Sequence, residues 1–230
     1  MVVLIVDSST IISFGMNCLL WVFERLKSKN IKFIVPMAVK EEVIDSGIKT
    51  KKYKYEAIRV SEYFSKGVFE VYTGDIKKET SEILNYANTS FYIKNKPIKI
   101  LHKADAEVLA LAEKINADGI LVDEKTMRLL IENPEEVKKH LEKKFHEKSK
   151  MIDESIMSFQ KRAGNREMIR SADLIAYSFE IGIFDELIDV CLIKEKNCKK
   201  ELIEGLLYCL KFAGCAISFN EINDYVNLLK

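Results

Sequence analysis

Residues 2–12 read VVLIVDSSTII. Five apolar residues, most of them β-branched, make a run too short to cross a membrane. Its length and composition suit a strand covered by helices on both faces of a parallel sheet. Asp7 ends the run, and DSST after it is turn and helix-capping chemistry. Working outward, residues 16–28 carry helical periodicity and KFIV at 32–35 is a second short strand. Pro36 opens a helix, PMAVKEEVIDSG, that Gly47 can close. Strand, helix, strand, helix is the pattern of a βαβ sheet.

The pattern returns between 103 and 131. KADAEVLALAEKINA predicts a helix, Asp118 and Gly119 a turn, GILV a third buried strand ending at Asp123, and EKTMRLLIEN a helix that Pro134 ends. The fold class expected is α/β, a doubly wound parallel sheet flanked by helices. Between these two parts, residues 46–103 hold 12 Lys/Arg against 6 Asp/Glu, interleaved with tyrosines and phenylalanines. Helices over 54–66 and near 78–88, a strand around VFEVY at 68–72 and a loop with a short strand at IKNKPIKIL are expected there. Residues after 134 read as charged helices. The expected division is therefore 1–132, an α/β domain containing the basic segment 46–103, and 133–230, a helical C-terminal extension.

Composition sets the frame. The chain has 230 residues, 48% hydrophobic and 31% charged, which excludes wholesale disorder. The net charge of +1 excludes a uniformly basic coat or an acidic tail protein, but it conceals a local excess. Lys (30) and Glu (24) dominate and Gln160 is the only glutamine, a bias of hyperthermophile proteins that an AT-rich genome also favours in part. The N-terminus has no basic region before its apolar run, and no stretch is long enough for a membrane span, so a cytoplasmic protein is expected. Cys18, Cys191, Cys198, Cys209 and Cys215 lack the spacing of a zinc knuckle and are expected as reduced, mostly core residues.

Four acids stand where a parallel sheet presents its ligands, beyond the carboxyl ends of strands. Asp7 follows the first strand, Glu42 lies in the helix after the second, Asp105 starts its helix, and Asp123 follows the third strand. Two carboxylates ~4 Å apart repel by several kcal/mol at an effective dielectric of about 20, so such a cluster needs cations. An all-oxygen set suits Mg²⁺ or Mn²⁺ rather than zinc. Each acid also has a plain structural reading: a cap for Asp7, an exposed helix charge for Glu42, and a macrodipole partner for Asp105. His102, His140 and His146 sit in Lys-rich stretches and read as solvated.

VVLIVDSSTII, VPMAVKEEV, KADAEVLALA and ADGILVDEKTMR, in this order, resemble the four acidic motifs of PIN-domain proteins. The resemblance covers roughly residues 1–132. It implies a PIN-like fold, Mg²⁺ or Mn²⁺ as cofactor, and a ribonuclease acting on RNA, and the basic, aromatic segment 46–103 is the expected holder of single-stranded RNA across the strand ends. It carries metal and catalytic roles to Asp7, Glu42, Asp105 and Asp123, with Ser9 orienting the first acid or a water. Glu41 fits the second motif less well than Glu42, Glu124 is an adjacent candidate for the fourth, and Arg128 matches a basic residue often found after it. Glu107 falls about 200° around the helix from Asp105. A domain of this family should end with a fifth strand soon after 131, where the sequence reads as a long charged helix instead. IRSADLIAYSFEIG resembles a tail of some archaeal members, and Asp173 within it reads as solvated. The alternative to a nuclease is a non-catalytic scaffold binding RNA or protein, with the extension available for a homodimer or a partner protein.

Overall fold

A computed structural model describes residues 1–164, 166–190 and 197–228. The first half runs β1 (Val2–Val6), α1 (Ser8–Met16), α2 (Leu20–Ser28), β2 (Ile31–Val35) and α3 (Met37–Lys40). A π-helical turn, Glu41–Ser46, then leads into α4 (Gly47–Lys49), and α5 (Lys54–Ser65), β3 (Phe69–Val71) and α6 (Lys77–Asn88) follow. Next come a hairpin of β4 (Phe91–Ile93) and β5 (Lys96–Pro97), then α7 (Lys103–Lys114), β6 (Gly119–Leu121), α8 (Lys125–Glu132) and α9 (Pro134–Phe145). The chain ends with β7 (Ser149–Met151), α10 (Asp153–Ala163), β8 (Glu167–Ile169), α11 (Ser171–Glu180), α12 (Asp185–Asp189), α13 (Cys198–Phe212) and α14 (Phe219–Leu228).

Among the described residues the main sheet has the strand order β3-β2-β1-β6-β8. Every pairing in it is parallel. The order reverses beside β1, so the crevice at its carboxyl end is the switch point where an open α/β sheet binds ligands. The doubly wound α/β fold is as expected. No helix among the described residues is long and apolar enough to cross a membrane.

Three local readings change. The helix expected over 16–28 starts at Leu20 as α2, and a separate, unexpected helix α1 precedes it, because Asp7 caps α1 at Ser8 and Cys18, at φ 58°, turns the chain before α2. Gly47 does not close its helix; it has helical angles and the helix continues to Lys49. A Cβ there would lie 2.8 Å from Ala57 Cβ, so glycine serves the close approach of α4 to α5. The charged helix expected after 134 is broken at His146, in the left-handed region at φ 54°, and resumes as β7, which pairs antiparallel with β4. Residues 133–230 are thus not purely helical. They return to the main sheet as β8, the fifth strand, laid parallel beside β6.

The core under the sheet is aromatic. Phe23 is fully buried, with ring centroids 4.7 Å from Phe14, 4.9 Å from Phe33 and 4.9 Å from Phe69. This cluster packs α1 and α2 onto β2 and β3. Among the cysteines, Cys18, Cys209 and Cys215 are free thiols, while Cys198 is disulfide-bonded, against the expectation of reduced residues throughout. Cys191 lies outside the described residues. Phe23→Ala is expected to cost about 3–5 kcal/mol, since three rings lose their common partner and the space cannot fully collapse; urea unfolding of both proteins measures it.

Candidate active site

Asp7 sits at the end of the central strand and is 2% exposed. Its backbone N–H continues the sheet by donating to the Leu121 carbonyl at 2.9 Å. Its side chain caps α1, with Oδ2 accepting from the Ser9 N–H at 3.1 Å and from Ser9 Oγ at 2.5 Å. Ser9 Oγ in turn accepts from the Asp123 N–H at 3.1 Å. One hydroxyl thus ties the end of β1 to the end of β6. The other oxygen, Asp7 Oδ1, is buried with no hydrogen-bond partner. Burial raises the Asp7 pKa to about 7, opposed by the Ser9 hydroxyl and reinforced by the charge of Asp105.

Asp105 occupies the first turn of α7, where Oδ2 accepts from the His102 N–H at 2.6 Å. It is half-buried, and burial raises its pKa against the hydrogen bond from His102 and the charges of His102 and Lys99. Glu124 stands at the exposed lip; loss of solvent raises it first, and the charge of Asp105 second. The charge of Asp105 thus acts on both Asp7 and Glu124. Among the described residues, no three His, Cys, Asp or Glu side chains already stand in metal-holding geometry.

The other two acids are placed differently. Asp123 is buried, and both its oxygens are taken by the first residue of α11. Oδ1 accepts from the Ser171 N–H at 2.8 Å and Oδ2 from Ser171 Oγ at 2.5 Å. The Asp123 carbonyl accepts from the Ala216 N–H at 3.3 Å. The nearby Cys215 thiol is held protonated by burial and by the Asp123 charge. Glu42 is exposed on the π-helical turn, lining a recess of about 200 Å³ with Ile12, Tyr53 and Val60. The i→i+5 turn that starts at Glu41 changes the angular register that the sequence spacing assumed for an α-helix.

Of the neighbouring candidates, Glu107 faces away from Asp105, accepting from the Ala38 N–H at 3.1 Å and pairing with Lys103 at 3.3 Å. Arg128 pairs with Glu132 at 3.8 Å rather than with Glu124. His102, His140 and His146 are exposed, as expected. Asp173, expected as solvated, is only partly exposed. It pairs with Arg170 at 3.1 Å and accepts from the Tyr225 hydroxyl. Arg170 also donates to Glu221 at 2.7 Å and to the Ala216 carbonyl at 3.2 Å, fastening the 216–225 segment beside Asp123. Ser171 and Arg170 were not singled out in the sequence. Their only signal is a Ser opening a helix with an acid two residues on.

A family model described as DUF3368, PIN domain, matches residues 3–135. The chain belongs to the PIN-domain family. No curated protein and no solved structure gives a significant match. The PIN match stops just past α8, so β8 and the Ser171 clamp on Asp123 lie beyond the matched region.

Two outcomes follow for this PIN fold. Ser171→Ala leaves Asp123 one donor short in a buried place and is expected to cost about 1.5–3 kcal/mol in urea unfolding. Burial would raise Glu221, but the hydrogen bonds from Arg170 and Ser218 outweigh it and bring its pKa to about 2. Asp173 is lowered likewise, its bonds to Arg170 and Tyr225 overcoming burial. A depressed carboxylate stabilises fully above its unfolded value of about 4 and loses that contribution as pH falls through the folded value. Stability measured by urea between pH ~5 and ~2 should therefore fall, and less steeply in Glu221→Gln.

Proposed function

We propose that the chain is a divalent-metal-dependent ribonuclease whose working carboxylates are Asp7, Asp105 and Glu124, with Asp123 and Ser9 as positioning residues. The observation that carries this reading is Asp7 Oδ1, a buried carboxylate oxygen without a donor at the switch point of the sheet. Leaving an anionic oxygen unmatched in such a place is costly, and a cation answers it. The donor set is all oxygen, which fits Mg²⁺ or Mn²⁺ and not a thiophilic metal. The family, a nuclease-type fold, supports the same chemistry.

When bound, such an ion would polarise a phosphoryl oxygen and make water a stronger nucleophile. The chain's own residues do the rest. Ser9 Oγ, donating to Asp7 Oδ2, fixes the carboxylate so that Oδ1 faces away from the hydroxyl, and the Asp123 N–H fixes Ser9. Asp105, held by the His102 N–H through Oδ2, keeps its second oxygen for the site. Glu124 at the lip can take up a proton, its pKa being raised by loss of solvent and by Asp105. Asp123 holds the frame through the Ser171 clamp and is not asked to bind the ion. Glu42, exposed on the π-helical turn, is left out of this set.

The second reading, a scaffold that binds RNA without cutting it, draws on the Ser171 clamp that occupies Asp123 and on the exposed position of Glu42. The expected outcome for the nuclease is Mn²⁺-dependent cleavage of an RNA panel that Asp7→Asn reduces to background. Ser9→Ala should weaken Mn²⁺ binding roughly 10-fold in calorimetry, as loss of a ligand's supporting hydrogen bond does. RNA left intact at every Mn²⁺ concentration, with Mn²⁺ bound no better than by Asp7→Asn, would hold for the scaffold.

A further inference from the structure

We propose that the small antiparallel sheet β5-β4-β7 is a docking platform for single-stranded RNA, leading into the carboxylate site. This rests on the nuclease reading for what happens at the site, but the platform itself is a binding surface and stands or falls separately.

The sheet has two unlike faces. Phe91 and Ile93 of β4 point inward and are buried, as is Ser149 of β7. Tyr92 lies between them on the opposite face, directly across from Pro97 on one neighbour and Lys150 on the other. A half-exposed phenol ring flanked by a flat proline and an exposed ammonium is a surface on which an unpaired base can stack. Lys96 at the hairpin and Lys148 before β7 are also exposed. Phe145, 42% exposed at the end of α9, adds a second ring with Lys144 Nζ 5.6 Å from its centroid.

Charge decides the occupant. Residues 88–103 contain four lysines and no acid, and residues 138–151 contain six lysines and two acids. Both acids are already engaged. Glu142 accepts from the Ser149 N–H at 2.9 Å, and Glu147 pairs with Lys94 at 2.6 Å. Among the described residues Lys96, Lys148 and Lys150 make no ion pair. Exposed cations of one sign beside exposed rings match a polyanion with stackable faces.

The platform is also continuous with the site. From β5 the chain runs through Lys99 to Asp105, and this link is rigid. Asn88 Oδ1 accepts from the Ile100 N–H at 2.7 Å and the Leu101 N–H at 3.0 Å. Ile152 N–H donates to the Ser90 carbonyl at 2.8 Å, fixing β7 to the same frame. A strand bound on Tyr92 would pass Lys99 before reaching Asp105.

The test is fluorescence anisotropy of the full chain with a labelled single-stranded RNA in EDTA, so that binding is read without cleavage. Lys148→Glu with Lys150→Glu, which alternate with the inward Ser149 and so lie on the Tyr92 face, should weaken binding about tenfold or more and flatten its salt dependence. Tyr92→Ala should weaken it about tenfold with the salt slope unchanged. Lys29→Glu, an exposed charge at the opposite end of the sheet, should do neither. Circular dichroism melts confirm that the variants remain folded. Mn²⁺-dependent hydrolysis of bis(p-nitrophenyl) phosphate reads the site apart from the platform and should be unchanged in all three. Loss of RNA binding in the platform variants with no hydrolysis by any protein would uphold the platform and sink the nuclease reading. RNA binding unaffected by the platform variants, duplex RNA bound as tightly as single strands, or anionic phosphatidylserine vesicles bound in place of RNA would each overturn the proposal.

Discussion

Keeping a carboxylate buried at the end of the central strand is the constraint that the rest of this molecule answers to. Asp7 cannot sit there on hydrophobic packing alone, because removing an anion from water costs several kcal/mol. The fold offsets that cost on one side only. The capping hydrogen bonds from Ser9 satisfy Oδ2, while Oδ1 stays without a donor. The capping bonds do structural work as well, since they start α1 immediately after β1 and thereby bring Phe14 against Phe23. The same residue thus begins a helix, closes the strand and leaves an oxygen for chemistry. The Ser9 hydroxyl then carries the constraint across to the neighbouring strand through the Asp123 N–H.

The second half of the chain is organised around the strand that Ser9 reaches. β8 covers the open edge of β6, and the turn into α11 delivers Ser171 to both oxygens of Asp123. Arg170, one residue earlier, gathers Asp173, Glu221 and Tyr225 and pins the 216–225 segment nearby. A buried arginine among such partners is more specific than stabilising, because desolvation cancels much of the attraction. Its use here is positional. The long return of the chain to the sheet ends in a clamp on one acid, which explains why residues beyond the PIN match are built into the same frame.

The parts legible in the sequence were those where local chemistry and burial agree. VVLIV, GILV and the helix from Lys103 are short, apolar and strongly periodic, and the order of their acids identified the family. The fifth strand was not legible, because EMI at 167–169 is three residues long, partly exposed and flanked by Arg166 and Arg170. Nothing local distinguishes it from a helix; only pairing with β6 makes it a strand. The break at His146 was hidden for a similar reason, since a left-handed histidine inside a Lys/Glu run leaves no compositional mark. For the acids, sequence order was a good guide to which strand ends they occupy, and it carried no sign of the hydrogen bonds each would make. Spacing along an assumed α-helix placed Glu42, and a π-helical turn is invisible to that arithmetic.

The division of labour among the acids follows from counting donors rather than from motif rank. Asp123 accepts two hydrogen bonds from Ser171, one of them charge-assisted and only 2.5 Å long. Bringing that carboxylate to a cation would strand the Ser171 N–H in a buried place, with a cost of about 1–3 kcal/mol before any coordination begins. Asp7 Oδ1 has no donor to give up, and the hydrogen bond from His102 engages only Oδ2 of Asp105. Glu124, next in sequence to the clamped acid, sits at the lip where a side chain can move without breaking a buried bond. In the proposed reading the end of β6 therefore supplies one acid to the frame and the adjacent one to the site. A pair of neighbouring carboxylates after one strand makes that separation available without any change of fold.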